Sequence, residues 1–145
     1  MTVKSIPDGY NVVTPFITVD DADGLLRFIA KTFGGNVRFR MEAPGNKVGH
    51  AEIVVGDSVI MVADPDERDI RATCSLHLYV DDVDAVYSKA LGAGASSTSE
   101  PETHFYGDRS AGITDAWGNR WYIATHVEDV APEEMTKRMA EITRV

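Results

Sequence analysis

One cysteine, Cys74, stands in a chain of 145 residues, so an internal disulfide is excluded. No Lys/Arg-rich stretch occurs and the net charge is −9, which argues against a nucleic-acid partner, since phosphate binding draws on clustered cations. No apolar run approaches the roughly 20 residues that span a bilayer, and no membrane association is expected. The Met1-Thr2-Val3-Lys4 start lacks the apolar centre of a secretion signal, so a cytoplasmic protein is the expectation. No Ser-His-Asp or Cys-His arrangement can be argued, and Gly34-Gly35 reads as a helix end rather than a phosphate loop. With 43% hydrophobic residues, the chain still has enough apolar surface to build a core.

What is present is a repeat. Val19-Asp20-Asp21-Ala22-Asp23 returns sixty-one positions later as Val80-Asp81-Asp82-Val83-Asp84. Ala22, Leu25, Leu26, Ile29 and Phe33 follow the first copy, and Val83, Val86, Tyr87, Ala90 and Leu91 the second, both at helical spacing behind a capping aspartate. Gly56-Asp57-Ser58-Val59-Ile60 likewise corresponds to Gly118-Asn119-Arg120-Trp121-Tyr122. Each half reads as strand, helix and further strands. Strands are expected at 12–19, 37–42, 48–55 and 58–63, then at 75–80, 104–114 and 120–126, with a weak strand in 95–98. Residues 64–73 form a polar joint, and the Ser/Thr-rich stretch 96–103 is expected to be an exposed loop. Pro132-Glu133-Glu134 opens a last helix, with Met135, Met139 and Ile142 on one side. The result is an α+β fold of two tandem βαβββ modules, at 9–66 and 72–127, with a C-terminal helix at 131–143.

Alternation along strands sorts the side chains. Val13, Ile17 and Val19, then Ala51, Ile53 and Val55, go with the helices in the first half, and Leu76, Leu78, Val80, Trp121 and Ile123 in the second. The opposite faces receive Phe16, His50 and Glu52, then His77, Tyr79, Asp108, Tyr122 and His126, a polar and aromatic mixture suited to lining a ligand cleft. Phe16, Tyr79, Tyr106 and Tyr122 are the candidates for contacting a flat or apolar molecule, with Asp108 beside them. Glu52 and Asp108 would make such a cleft acidic and suited to a cation. His77, Glu52 and His50 are the candidates for acid–base work, while His50 paired with Glu52 is the simpler structural account. His104 and His126 fall at strand ends, where solvent exposure accounts for them. Arg109 is expected to bridge to Asp115 or to a helix acid.

The motifs Gly9-Tyr10, Thr14-Pro15-Phe16, Val48-Gly49-His50-Ala51-Glu52-Ile53, Ser75-Leu76-His77-Leu78-Tyr79-Val80, Phe105-Tyr106-Gly107-Asp108-Arg109 and Thr125-His126-Val127-Glu128-Asp129 resemble the vicinal oxygen chelate superfamily, and within it the PhnB-like glyoxalase/bleomycin-resistance branch. The resemblance covers nearly the whole chain. It implies two βαβββ modules curled around a cavity, as a rule in a homodimer. It also implies metal-ligand positions on the first and last strands of each module, which fall here on Thr14, Ser75, Tyr122 and Ile60, with Met61 in place of Ile60 after a one-residue shift. A hydroxyl, a phenol and an alkyl group do not replace the imidazole and carboxylate ligands of a divalent ion. The expectation is therefore a protein without metal or other cofactor that binds a small aromatic or drug-like molecule between its modules. The alternative is a glyoxalase-like lyase or isomerase using His77, Glu52 or His50 with a relocated ion.

Overall fold

The computed structural model describes residues 2–143, in the order β1(Phe16–Thr18), α1(Ala22–Phe33), β2(Asn36–Ala43), β3(Lys47–Val55), β4(Ser58–Ala63), β5(Ser75–Tyr79), α2(Val83–Gly92), β6(Ser96–Thr103), β7(Asp108–Thr114), β8(Arg120–His126) and α3(Pro132–Ile142). The strands form two four-stranded mixed sheets, ordered β1-β4-β3-β2 and β5-β8-β7-β6. In each, the first strand of the repeat lies parallel to the last, and the others pair antiparallel. The architecture is α+β, with tandem βαβββ modules and a C-terminal helix. Two compact units result: one runs to Cys74 and includes Trp117–Asn119, and the other comprises Ser75–Ala116 and the chain from Arg120 onward.

In the first unit, α1 covers one face of its sheet. Ile17, Leu25, Ile29, Ala51, Ile53 and Val62 are fully buried there. Phe28, also buried, meets Phe33 edge-on at 6.1 Å and Trp117 at 6.2 Å. The helix starts at Asp21, whose carboxylate accepts from the Gly24 N–H at 3.1 Å, and ends at Gly34 with φ 69°. Asp21 itself has φ 60°, a left-handed conformation that aspartate tolerates because its short side chain bonds locally. In the second unit, α2 is capped by Asp82, which accepts from the Ala85 N–H, and Trp121, Ile113 and Ile123 are fully buried. The Trp121 indole N–H donates to Asp115 at 2.8 Å. Arg109 forks onto Asp84 in the first turn of α2 at 2.8 and 2.9 Å, the expected bridge to a helix acid.

Several expectations are corrected. β1 begins at Phe16 rather than at Val12, and Val13 is 80% exposed instead of core-facing. Pro15 has no N–H to give to a ladder, although its carbonyl still accepts from Met61. The stretch expected as a loop, 96–103, is the edge strand β6. Its pairing with β7 skips between Ser97 and Ser99 and again between Ser99 and Glu102, which leaves Pro101 outside the ladder where its missing N–H costs nothing. β7 begins at Asp108 because His104–Gly107 form a turn, with the His104 N–H donating to the Asp108 carbonyl at 2.8 Å. Leu91 is 38% exposed, so the apolar stripe of α2 buries less than its spacing suggested.

The left-handed cap of α1 gives a stability prediction. Asp21→Ala loses the cap and keeps a strained Cβ, at a cost of about 1–2 kcal/mol in urea unfolding. Asp21→Gly relieves the strain and is expected to cost only a few tenths of that.

Candidate functional site

The face of the first sheet opposite α1 carries one continuous cross-strand row. Phe16 pairs with Met61, Met61 with Glu52, and Glu52 with Phe39. His50 stands beside the row, its ring 5.7 Å from Phe16 and 6.2 Å from Phe39, and its Nε2 lies 3.4 Å from Glu52 Oε2. The register shift between Val37 and Phe39 takes Arg38 out of the ladder, so its side chain reaches Glu52 Oε1 at 3.0 Å. The Arg38 guanidinium lies 4.4 Å over the Tyr10 ring and also donates to the Gly9 carbonyl at 3.4 Å. A hydrogen bond from Tyr10 is the leading influence holding the Glu52 carboxyl below its ordinary range; Arg38 and His50 add to it against the opposing effect of burial.

Next to this row a cavity of about 330 Å3 is lined by Ile6, Pro7, Tyr10, Val12, Thr14 and Met61. Phe16 lines a second cavity of about 270 Å3, with Thr18, Gly49, Asp66, Arg68 and Ile70. Asp66 and Arg68 are paired with each other at 2.8 Å.

The open face of the second sheet brings His77, Tyr79, Asp108 and Tyr122 into one group. His77 pairs in register with Tyr122, and its ring lies 5.0 Å from that of Tyr79. The Tyr79 hydroxyl donates to Asp108 Oδ2 at 2.9 Å, and His126 Nδ1 donates to Asp108 Oδ1 at 2.8 Å. Asp108 is only 6% exposed. The His126 hydrogen bond is the main cause that lowers its pKa, with Tyr79 contributing, whereas the bond to Asp108 raises that of Tyr79. Tyr106, on the β6–β7 turn, is stacked parallel on His104 at 5.2 Å and lies near enough to Tyr79 to add to the rise in its pKa.

The expected residues therefore fall into two groups, each within its own unit: Phe16, His50 and Glu52, and His77, Tyr79, Asp108 and Tyr122. Tyr10 and Arg38 are additions, and His126, which alternation puts on this face without assigning it a role, joins the second group. His126 is half-exposed, as a strand-end residue should be, but both of its ring nitrogens are bonded to carboxylates. The acidic, cation-seeking character expected of Glu52 and Asp108 is also revised, because each carboxylate is already matched by basic or hydroxyl partners.

The metal positions implied by the resemblance can now be assigned by face. Ile60 is corrected: it is 4% exposed and pairs with Ile53 on the helix side, so Met61 holds the open-face position. Thr14, Met61, Ser75 and Tyr122 offer hydroxyl, thioether and phenol groups, which do not fit a hard or borderline divalent ion. Among the described residues, no group of three or more His, Cys, Asp and Glu side chains is arranged to hold a metal.

The Glu52 network sets a pH dependence. A carboxyl whose folded pKa is depressed contributes stability that is present above its ordinary value of 4.5 and lost as pH falls through the lower folded value. Glu52→Gln is expected to be less stable than wild type at neutral pH, and the gap in urea midpoints is expected to close on acidification.

The sequence profile of the glyoxalase/bleomycin resistance protein/dioxygenase superfamily matches residues 10–123. Uncharacterized proteins of Mycobacterium bovis and Mycobacterium tuberculosis are 28% identical over 143 residues, covering 88% of this chain and 91% and 82% of theirs. Among solved structures, TioX from a Micromonospora species has a TM-score of 0.68 at 21% identity, covering 81% of this chain and 99% of its own. A glyoxalase/bleomycin resistance protein/dioxygenase family enzyme from Burkholderia phytofirmans gives 0.67 at 19% identity, over 79% and 97%. A PhnB protein from Bacillus cereus, described as a putative 3-demethylubiquinone-9 3-methyltransferase, gives 0.65 at 16% identity, over 79% and 99%. At these identities the structural likeness establishes the fold, and the profile establishes the family: the chain belongs to the glyoxalase/bleomycin resistance protein/dioxygenase superfamily.

Proposed function

We propose that this protein binds a small, uncharged aromatic or drug-like molecule without using a metal, and that it belongs to the PhnB-like branch of its superfamily. The observation that carries the reading is the cavity of about 330 Å3 in the first unit, whose wall includes Thr14 and Met61, two positions at which the resemblance implies metal ligands. Its size falls at the lower end of small-molecule sites, and its wall combines apolar side chains with a few hydroxyl and amide groups. Charges beside it are paired, Arg38 with Glu52 and Lys4 with Asp8, which favours a neutral occupant over an ionic one. Phe16 and Phe39 extend the apolar surface, and in the second unit His77, Tyr79 and Tyr122 offer a comparable aromatic face. The PhnB assignment rests on the sequence motifs, with the Bacillus cereus structure as fold-level support.

The acid–base alternative is less well supported. Glu52 is held ionised and its oxygens are taken by Arg38 and His50, which makes it a poor proton acceptor.

N-phenyl-1-naphthylamine, a neutral probe whose fluorescence rises in apolar surroundings, tests the reading. Binding is expected to survive an excess of EDTA. It is expected to weaken about tenfold or more in Met61→Asp, because a carboxylate in the cavity wall must be desolvated. Loss of binding with EDTA, or unchanged binding in a folded Met61→Asp protein, would overturn the proposal.

We also propose a cytoplasmic homodimer. Support comes from Val37, Phe39 and Met41, each about half exposed on the edge strand β2. Phe39→Asp is expected to shift the mass measured by light scattering from two chains to one.

A further inference from the structure

We propose that His126, held as an imidazolium between Asp108 and Asp129, is a proton-operated clip that fixes the segment leading from β8 into α3 against the second sheet. Nδ1 lies 2.8 Å from Asp108 Oδ1 and Nε2 lies 2.7 Å from Asp129 Oδ1. An ionised carboxylate only accepts hydrogen bonds, so both ring nitrogens must carry a proton for both bonds to exist. The neutral ring has one N–H and can keep only one of the two.

Burial decides which bond survives. Asp108 is 6% exposed and also receives the Tyr79 hydroxyl, so an unpaired oxygen there is costly. The Asp129 side chain is fully exposed, and water replaces its partner readily. Loss of the proton therefore releases Asp129 and leaves the Asp108 bond in place.

The surrounding groups are accounted for. From β5, Tyr79 bonds Asp108, and the His77 ring lies 5.0 Å from that of Tyr79. From the β6–β7 turn, Tyr106 lies near Tyr79 and is stacked on His104. Within the segment itself, Glu128 is drawn away by Arg138 of α3, at 2.6 and 3.2 Å. The two carboxylates on His126 raise its pKa, Asp108 first and Asp129 second. For a base whose folded pKa is raised above its ordinary 6.5, the added stability is complete below that value and is lost as pH climbs through the folded pKa. The clip is closed below pH 6.5 and opens as pH climbs through the raised folded value.

The reporters lie next to the clip. The Val127 and Glu128 N–H groups both donate to the Gly107 carbonyl, at 2.9 and 3.1 Å. Gly107 has φ 100°, and a Cβ there would collide with the Glu128 carbonyl oxygen, so turn and segment are in close contact. Amide exchange measured by NMR and divided by unstructured-chain rates removes the intrinsic acceleration by base. The Val127 and Glu128 protection factors are expected to fall about threefold or more as pH passes through the His126 ring titration, with Ile123 in mid-β8 unchanged. Asp129→Ala, a change at an exposed side chain that removes the acceptor and spares the sheet, is expected to show the lower protection at all pH values. Ring nitrogen shifts are expected to report both nitrogens protonated below the transition. Flat protection factors in the wild type, or an Asp129→Ala protein that follows the wild-type curve, would overturn the proposal.

Discussion

In each unit, a single helix covers one face of a four-stranded sheet, and this one-sided cover dictates where every other side chain goes. In the first unit Ile17, Ala51, Ile53 and Val62 lie fully buried beneath α1. Burying an Ile or Val side chain is worth about 1.5–3 kcal/mol, so a one-residue slip that exposed several of them would cost more than any surface pairing returns. The register is thereby locked. Phe16, Phe39, His50 and Glu52 are turned to the opposite face whatever their own preferences, and in the second unit burial of Trp121 and Ile123 does the same for Tyr122 and Ala124.

On both open faces, ionisable groups are spent on one another. Glu52 is met by Arg38 and His50, and Asp108 by Tyr79 and His126. A partly buried charge of this kind is tolerable only when paired, and pairing removes it from the list of groups that would attract an ion. What remains on these faces is aromatic and aliphatic surface with a few hydroxyls, and the proposed binding role draws on it.

Much of the scaffold was legible because two kinds of pattern agreed. The repeated Val-Asp-Asp element marked both helix starts, and strict alternation over β3 and β8 placed His50, Glu52 and Tyr122 on the correct side. Legibility failed where a local irregularity outranked the pattern. The position of Arg38 depends on a skipped pairing that no periodicity reveals. β6 is poor in apolar residues because an edge strand of this kind faces solvent along most of its length, so composition alone read it as a loop. At the end of its strand, His126 reads as merely solvent-exposed, because its bond to Asp108 depends on the β7–β8 register and so needed the sheet itself.

The first unit also draws on residues that the chain reaches late. Trp117 meets Phe28, and the fully buried Asn119 side chain accepts from the Cys74 N–H at 3.0 Å. A polypeptide growing from its N-terminus thus has α1 and the strands β1 to β4 well before it has these closing pieces. Until about fifty-five more residues are made, one flank of Phe28 and one backbone donor stay wet, so synthesis order ties maturation of the early half to that of the late one.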